Sequence, residues 1–389
     1  MRKFLLAVIC STSSFGSYPT LANSNTYVTV EESKITQAQQ ELPIISNQFV
    51  ALQKQFLTEL SETKTTESLA KVVNLFANKL WQGATVHLQK NKTYDDRALY
   101  WARLQLAKTL RTSAPFYRLN EQEQSKLMFN FELASRGNND VSFNKNTDKK
   151  ILITGFDPFF LHRNIGQSNP SGIAAMAFDG VVIEHNGVTA EIQTLMVPVR
   201  FADFDQGMIE TMLTPHIKSG DVDMVSTISM GREDFDLERF PGLRRSAQAP
   251  GNLGVYTGAT SENPLVPYLH SKPLNGPEFV EFSLPIEAMS KAKGQYKIND
   301  NANIASLEKG KFVANSLIEL AKQTSVSGSG GGYLSNEISY RSILLRNQYN
   351  PKLPVGHIHT PRIKDWDKQV VSNIVEQIQL MLKHATTAL

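Results

Sequence analysis

Ile151-Leu152-Ile153-Thr154-Gly155-Phe156-Asp157-Pro158-Phe159 is the stretch that decides the fold of the larger part of this chain. Three apolar residues followed within two positions by a glycine are typical of a buried parallel strand and the turn after it. Gly155 permits that turn to be tight. The rings of Phe156 and Phe159 could wall an apolar pocket next to the turn, or they could belong to the core.

Further strands and helices alternate downstream of this stretch. Short apolar segments predict strands, and longer stretches with apolar residues three and four positions apart predict helices. The alternation predicts an α/β fold with a mostly parallel sheet and helices on both faces, whose reactive groups collect at the carboxyl ends of strands. The other predicted strands are 181–184, 190–198, 224–229 and 325–329, and the predicted helices are 171–178, 203–218, 310–323 and 365–385.

The region 23–146 has a different character and predicts a small helical domain. Apolar residues recur at helical spacing through 35–60, 69–88, 98–110 and 121–133. Trp81 and Trp101 are expected in its core. Nothing there has catalytic spacing, so we expect a packing or docking domain. Polar residues at 136–140 and 144–150 predict a linker to the α/β domain, 147–389.

The first residues have the order of an export signal. Arg2 and Lys3 precede the apolar run 4–10, and Thr20-Leu21-Ala22 places small residues at the −3 and −1 positions of a cleavage site. The alternative is a buried N-terminal helix or a membrane anchor, but the run is far shorter than the ~20 residues of a spanning helix. We therefore predict a signal peptide at 1–22 and a periplasmic or secreted protein.

Composition excludes several classes of function. The 389 residues carry 40 basic and 37 acidic side chains, mixed along the chain without a basic block, so nucleic acid is not an expected partner. Cys10, the only cysteine, lies in the predicted signal peptide, so the mature chain would have no thiol. No histidines and carboxylates have metal-ligand spacing, and we expect neither a metal nor a cofactor.

Glu238 and a pair of histidines carry side chains with catalytic chemistry. Glu238 precedes Arg239 and could orient a histidine or form an ion pair. His357 and His359 are two positions apart, so on a strand they would face the same side.

A glycine-rich segment, 327–332, precedes Ser335 and a predicted helix start. Its backbone N–H groups could converge on an anion, with the positive end of the helix dipole beside them. It lacks the lysine of a phosphate-binding P-loop. The alternative is a flexible surface loop.

Taken in order, these segments resemble the pyroglutamyl-peptidase I family, cysteine peptidases that remove an N-terminal pyroglutamyl residue. That family has a Thr-Gly-Phe-Glu-Pro-Phe turn, an Asn-Pro-Ser, a Gly-Gly-Arg stretch with a catalytic glutamate, a Ser-Ala-Gly-x-Tyr-Leu-Cys-Asn loop and an Ile-His-Val-Pro histidine. The counterparts here are 154–159, 169–171, 231–239, 329–336 and 358–361. The resemblance covers the chain from about Lys149 onward and implies the family's α/β fold.

The resemblance also implies site residues. The implied catalytic residues are Ser335 as nucleophile, His359 as base and Glu238 as the acid that orients it, and the implied substrate-binding residues are Phe156, Phe159 and Asn169. A serine hydroxyl cannot be held ionised as a cysteine thiolate can, so it would have to give its proton to the histidine as it attacks.

The chain departs from the family in several places. Besides Ser335 in place of cysteine, the family's Asp-Ala-Arg-Ile-Pro-Asp-Asn reads Ser-Ala-Gln-Ala-Pro-Gly-Asn at 246–252, without the arginine and both aspartates. Ile228 stands near the place of a glutamine that bacterial members carry, and an insertion lies between Lys291 and Phe312.

These observations predict a hydrolase that removes an N-terminal pyroglutamyl or similar small acyl group from a peptide or small amide through a Ser-His-Glu site. The alternative is a catalytically inactive binding protein that keeps the pyroglutamyl-peptidase-like fold.

Export should leave a new N-terminus at Asn23, because the charged, apolar and small-residue segments end at Ala22. Mass spectrometry of the protein from the cell envelope fraction checks this. Full-length protein confined to the cytoplasm would contradict it.

Overall fold

A computed structural model describes residues 28–389 of the chain. The predicted signal peptide, 1–22, lies outside the described residues. Within 28–389, none of the helices combines the length and the apolar character required to cross a membrane.

The C-terminal part is built on a mostly parallel sheet. The strands are β1 (Lys149–Phe156), β2 (Val181–His185), β3 (Val188–Val197), β4 (Met224–Met230), β5 (Phe235–Glu238), β6 (Tyr268–Leu269), β7 (Lys272–Pro273), β8 (Ile298–Asn301), β9 (Asn303–Ser306), β10 (Gly310–Val313), β11 (Ser325–Ser327) and β12 (Val355–Thr360). The main sheet has the order β2-β3-β1-β4-β12-β5-β8. Strands β3, β1, β4 and β12 are mutually parallel, β8 is parallel to β5, and β2 and β5 are each antiparallel to their inner neighbour.

Helices cover both faces of this sheet and form the N-terminal part. They are α1 (Ile35–Glu41), α2 (Pro43–Ser46), α3 (Val50–Glu62), α4 (Thr66–Asn91), α5 (Arg97–Arg111), α6 (Ala114–Tyr117), α7 (Glu121–Ala134), α8 (Pro170–Phe178), α9 (Phe201–Asp205), α10 (Met208–Ser219), α11 (Ile286–Met289), α12 (Leu317–Leu320), α13 (Leu334–Tyr349) and α14 (Lys368–Thr386). Helices α8 and α14 pack together against the sheet, and α10 and α13 pack together likewise.

The strand at 151–155 is confirmed and lies at the centre of the sheet. β1 pairs with β3 on one side and β4 on the other, and its residues from Ile151 to Phe156 are all buried. A strand covered on both faces tolerates no solvated side chain, which explains its continuous apolar run. The predicted α/β fold with a preceding helical region is therefore correct.

Two predictions for the region 310–329 are wrong in detail. The predicted helix 310–323 contains β10 and only the short α12, and the predicted strand at 325–329, observed as β11, lies outside the main sheet. β10, β9 and β11 form a separate antiparallel sheet, in which Phe312 lies opposite Ile304. Phe312 packs on a small cluster that includes Phe240 and Phe279, so tertiary packing outweighs the helical spacing.

The helical region shares a continuous hydrophobic core with the α/β part. Phe76 and Trp81 of α4 belong to the same cluster of buried side chains as Ile151 of β1 and Ile173 of α8. The indole N–H of Trp81 donates to Asp179 Oδ2 at 3.2 Å, just after α8. The chain's division into 23–146 and 147–389 stays a prediction, but the two parts are packed against each other.

The polar segment after α7 is not a solvated linker at its start. Arg136 is 2% exposed, and its guanidinium contacts Glu132 and Asp157. Arg103 of α5 donates to the other oxygen of Asp157, with both N–O distances at 2.7 Å. Arg136 was assigned to the predicted linker because its partner Asp157, in the α/β part, is distant in sequence.

Removing Arg103 should destabilise the protein, because Asp157 is buried. Arg103→Met leaves Arg136 as the one arginine paired with the buried Asp157, so we expect it to lower the free energy of unfolding by about 3 kcal/mol. Chemical denaturation measures it. The matched control is Lys71→Met, whose pair with Glu67 is exposed and should contribute less than about 0.5 kcal/mol. Equal effects of the two substitutions would contradict a structural role for the buried pair.

Candidate active site

Glu238 and His359 form a buried hydrogen-bonded pair. Glu238 ends β5, His359 lies on β12, and these neighbouring antiparallel strands bring Glu238 Oε1 within 2.5 Å of His359 Nδ1. With Nδ1–H donating to the carboxylate, the neutral ring has its lone pair on Nε2. Arg239 pairs with Asp300 and Glu281 instead, so the alternative reading of Glu238 as a partner of Arg239 is not what the structure shows.

Gly231 makes room for His359. A Cβ on Gly231 would lie 2.6 Å from His359 Cβ, well inside van der Waals contact. Its backbone N–H donates to Thr360 O at 2.8 Å, which ties the end of β4 to β12. The glycine of the Gly-Arg segment is therefore required by the packing of the histidine strand.

His357 lies beside His359 but is fully occupied. Its ring is 4.8 Å from that of His359, so the two histidines lie on one side of the strand as the sequence predicted. Both ring nitrogens are hydrogen bonded, Nδ1 to Thr227 Oγ1 at 2.7 Å and Nε2 to Ser229 Oγ at 2.8 Å. Burial, together with His359, lowers the pKa of His357 well below its ordinary value. His357 therefore stays neutral and supports its neighbour.

Ser335 lies at the start of α13. The helix begins at Leu334, and its N-cap, Tyr333, provides no side-chain cap. The first N–H groups of a helix have no intrahelical partner, so those around Ser335 can donate hydrogen bonds to a negatively charged oxygen. Ser335 Oγ donates to Gly330 O at 3.3 Å, and among the described residues it has no hydrogen bond to His359.

The predicted substrate-binding residues share a cavity with Ser335. Phe156, Phe159 and Asn169 line it together with Ser335, and the wall is largely apolar. Its volume is about 30 Å³. That is close to the share of one water molecule in the liquid, so a ligand ring needs the cavity to widen.

The two motifs that contain these residues meet at the end of β1. A Cβ on Gly155 would lie 2.1 Å from Ser171 O, so only glycine permits this approach to the start of α8. Asn169 caps α8 by accepting from Ser171 N at 3.1 Å, and it donates to Asp157 O at 3.0 Å. Asn169 thus has a structural role in addition to lining the cavity.

Side chains of the helical region form polar contacts with this turn. Besides the arginines on Asp157, Asp96 at the start of α5 accepts from Asn169 N at 3.1 Å. Burial, together with Asp95, raises the pKa of Asp96 well above its ordinary value. The sequence showed no catalytic spacing in this region, and its contribution is to the position of the turn.

Asn301 is a site residue that the sequence did not reveal. It ends β8, within the insertion, and its Nδ2 donates to Glu238 Oε2 at 2.9 Å and to Ser329 O at 3.0 Å. It therefore fixes the glutamate and the glycine-rich segment together. No motif marks it, because it lies in the part of the chain that has no counterpart in the resemblance.

The segment that departs from the family still supports the glycine run through its backbone. Ser246 N and Ala247 N both donate to Gly332 O, at 3.0 and 3.1 Å. Gln248, in the place of the family's arginine, is exposed. In the part of the chain that the structure covers, no group of three or more histidine, cysteine or acidic side chains is arranged to hold a metal ion.

Domain models match both parts of the chain. The model of the PA0049 N-terminal domain matches residues 14–132, and that of the PA0049 C-terminal domain matches residues 150–272 and 313–364. The interval between the last two stretches contains the insertion, including Asn301. An uncharacterized protein of Pseudomonas aeruginosa, PA0049, is 27% identical over 393 aligned positions, which cover 77% of this chain and 71% of that protein.

A pyrrolidone-carboxylate peptidase of Alkaliphilus oremlandii is 29% identical over 220 positions, 54% of this chain and 78% of the relative. The chain is similar to pyrrolidone-carboxylate peptidases. Pyrrolidone-carboxylate peptidase is another name for pyroglutamyl-peptidase I, the family that the motifs resemble.

Solved structures of such peptidases also match. A mutant pyrrolidone carboxyl peptidase of Pyrococcus furiosus is 20% identical, with a TM-score of 0.43 over 62% of this chain and 99% of that one. Pyroglutamyl peptidase I of Bacillus amyloliquefaciens is 20% identical, with a TM-score of 0.40 over 62% of this chain and 98% of that one.

His357 should make stability fall on acidification. The unfolded chain binds a proton on this histidine below about pH 6.5, whereas the folded chain does not, so unfolding is favoured as the pH falls. Between pH 7.5 and 5.5 the parent should lose about 1 kcal/mol more of its free energy of unfolding than His357→Gln, measured by urea denaturation. The matched change on α4, His87→Gln, controls for the loss of an imidazole. A His357→Gln protein with the parent's pH dependence would contradict the neutral state.

Proposed function

We propose that the chain is a hydrolase that removes an N-terminal pyroglutamyl or similar small acyl group from peptides. The observation that supports this most strongly is the buried hydrogen bond between Glu238 and His359. The pair lies near the helix start that carries Ser335, since a Cβ on Gly330 would be 3.6 Å from His359 Cε1 and 3.4 Å from Asn336 Cα. A base held by a carboxylate beside a hydroxyl nucleophile is the arrangement that acyl transfer needs.

In the proposed reaction, His359 Nε2 takes the proton of Ser335 as Oγ attacks the acyl carbon. The negative oxygen that forms would be stabilised by the N–H groups at the start of α13 and by the glycine-rich segment. Glu238 stays ionised and stabilises the imidazolium. His359 then donates its proton to the amine as the C–N bond breaks. A water molecule, deprotonated by the same histidine, attacks the acyl carbon, and the proton passes from His359 to Ser335 Oγ as the Oγ–acyl bond breaks.

The substrate class is suggested by the cavity and by similarity. Phe156 and Phe159 give the cavity at Ser335 an apolar wall suited to a flat ring, and the relative from Alkaliphilus oremlandii is named a pyrrolidone-carboxylate peptidase. The predicted signal peptide adds the proposal that the reaction takes place in the periplasm or outside the cell.

Two observations favour the alternative, a catalytically inactive protein that binds small acyl groups. Ser335 Oγ donates to Gly330 O rather than to His359, so attack requires the serine side chain to rotate. The cavity of about 30 Å³ must also widen before a ring can enter. Catalytic hydrogen bonds are often long or misaligned without substrate, and for this reason the hydrolase is the preferred proposal.

Turnover of a pyroglutamyl fluorogenic amide by the purified mature protein tests the proposal. We expect release of the fluorophore, and a loss of at least ~10³-fold in kcat for Ser335→Ala, because nothing replaces the nucleophile. The matched control, Ser372→Ala, changes a serine that bonds to Glu376 on the surface of α14 and should keep the parent's rate. Thiol-blocking reagents should have no effect on the mature chain.

Ser335→Cys separates the two candidates. If the scaffold retains the geometry of a cysteine peptidase, this variant should show equal or higher activity, because histidine can hold a thiolate. A folded Ser335→Cys protein that is inactive, together with an inactive parent, would contradict the hydrolase and support the binding protein.

A further inference from the structure

A second, larger cavity lies between the helical region and the α/β part. Its volume is about 230 Å³. Val30, Lys34 and Tyr100 contribute one wall, and Phe160, His162 and Tyr256 contribute another. The two parts of the chain form it together, and neither part has the cavity alone.

One layer of side chains separates this cavity from the one at Ser335. Phe159 lines the smaller cavity and Phe160 the larger, and their ring centroids are 4.2 Å apart. Tyr333 also lines the smaller cavity, and its hydroxyl donates to the carbonyl of Pro250, in the wall of the larger one, at 2.8 Å. The two cavities are therefore adjacent, and a peptide that extends beyond the smaller one would pass over this layer to enter the larger one.

The backbone next to the larger cavity is held in a defined conformation. Phe160 has φ of +63°, a conformation that is uncommon for a bulky residue and is found where surrounding structure imposes it. The side chain of Asn252 donates to Pro158 O at 2.9 Å. This bond links the loop that contains Asn252 to the turn that precedes Phe160. The wall between the two cavities is therefore held from both sides.

The charge of the larger cavity suits an anion with an apolar body. The lining combines the cation of Lys34 with His162 and several aromatic rings, and the described residues that line it include no carboxylate. The nearby Glu31 is buried and already engaged by the hydroxyl of Tyr100 and the guanidinium of Arg200. The half-buried ammonium of Lys34 donates to Val30 O at 3.0 Å and has two further N–H groups for a ligand.

We propose that this cavity binds the departing part of a short peptide and that Lys34 receives its free C-terminal carboxylate. The inference rests on the proposed function, since the peptide's first residue would occupy the cavity at Ser335. It assigns to the helical region a share in substrate selection, with short pyroglutamyl peptides that end in a carboxylate as the preferred class. An aromatic or apolar side chain before that carboxylate would pack on Phe160 and Tyr256.

Calorimetry with the Ser335→Ala protein tests the inference without hydrolysis. The probes are pyroglutamyl-alanyl-phenylalanine as the free acid and as the C-terminal amide. A carboxylate paired with a partly buried ammonium should make the acid bind roughly fivefold more tightly than the amide. Adding Lys34→Gln should abolish this preference, whereas adding Lys54→Gln, an exposed lysine on α3, should preserve it.

The outcomes distinguish this inference from the proposed function. Equal binding of acid and amide, equal effects of the two lysine substitutions, or no binding of either peptide would each overturn the inference. Turnover of the fluorogenic amide by the parent protein would still support the hydrolase in those cases. An acid preference that depends on Lys34, in a parent protein without turnover, would support the cavity and reject the hydrolase.

Discussion

The site depends on the burial of one charged group, the carboxylate of Asp157. It lies directly after β1 and is neutralised by Arg103 and Arg136, which both come from the N-terminal part of the chain. A buried charge persists only when it is paired and hydrogen bonded, so the turn that carries Phe156 and Phe159 is stable only with the helical region in place. In the same turn, the backbone carbonyl of Asp157 accepts a hydrogen bond from the side-chain amide of Asn169. The helical region is therefore part of the construction of the cavity.

The hydrogen-bonded pair of Glu238 and His359 is held from the β5–β8 side of the sheet. Glu238 and His359 meet because β5 and β12 are paired antiparallel, and Asn301 satisfies the second oxygen of the glutamate. Asn301 belongs to the insertion that builds the small antiparallel sheet. Two parts of the chain outside the region of resemblance thus support one site. The helical region contacts the turn after β1, and the insertion contacts Glu238.

The sequence predicted what depends on local pattern and matched motifs. β1 was predictable because a strand buried on both faces must be apolar. The motifs singled out Glu238 and His359, which the structure brings together, while the roles of these two residues and of Ser335 stay proposals. Arg136 and Asn301 were not predictable, since each is polar and its partner is distant in sequence. The helix expected at 310–323 failed for a related reason, because pairing of Phe312 with Ile304 overrides helical spacing. The hydrogen bond from Ser335 to Gly330 depends on a side-chain rotation that no pattern encodes.

The central claim is that Ser335, activated by His359, acts as a nucleophile toward acyl groups that fit the apolar cavity. Labelling with a serine-reactive phosphonate that carries a pyroglutamyl-like ring, followed by mass spectrometry of peptides, tests it most directly. The account predicts one adduct per chain, on Ser335, and its loss in His359→Ala. No adduct on Ser335 in the folded protein, or equal labelling of the parent and His359→Ala, would contradict it.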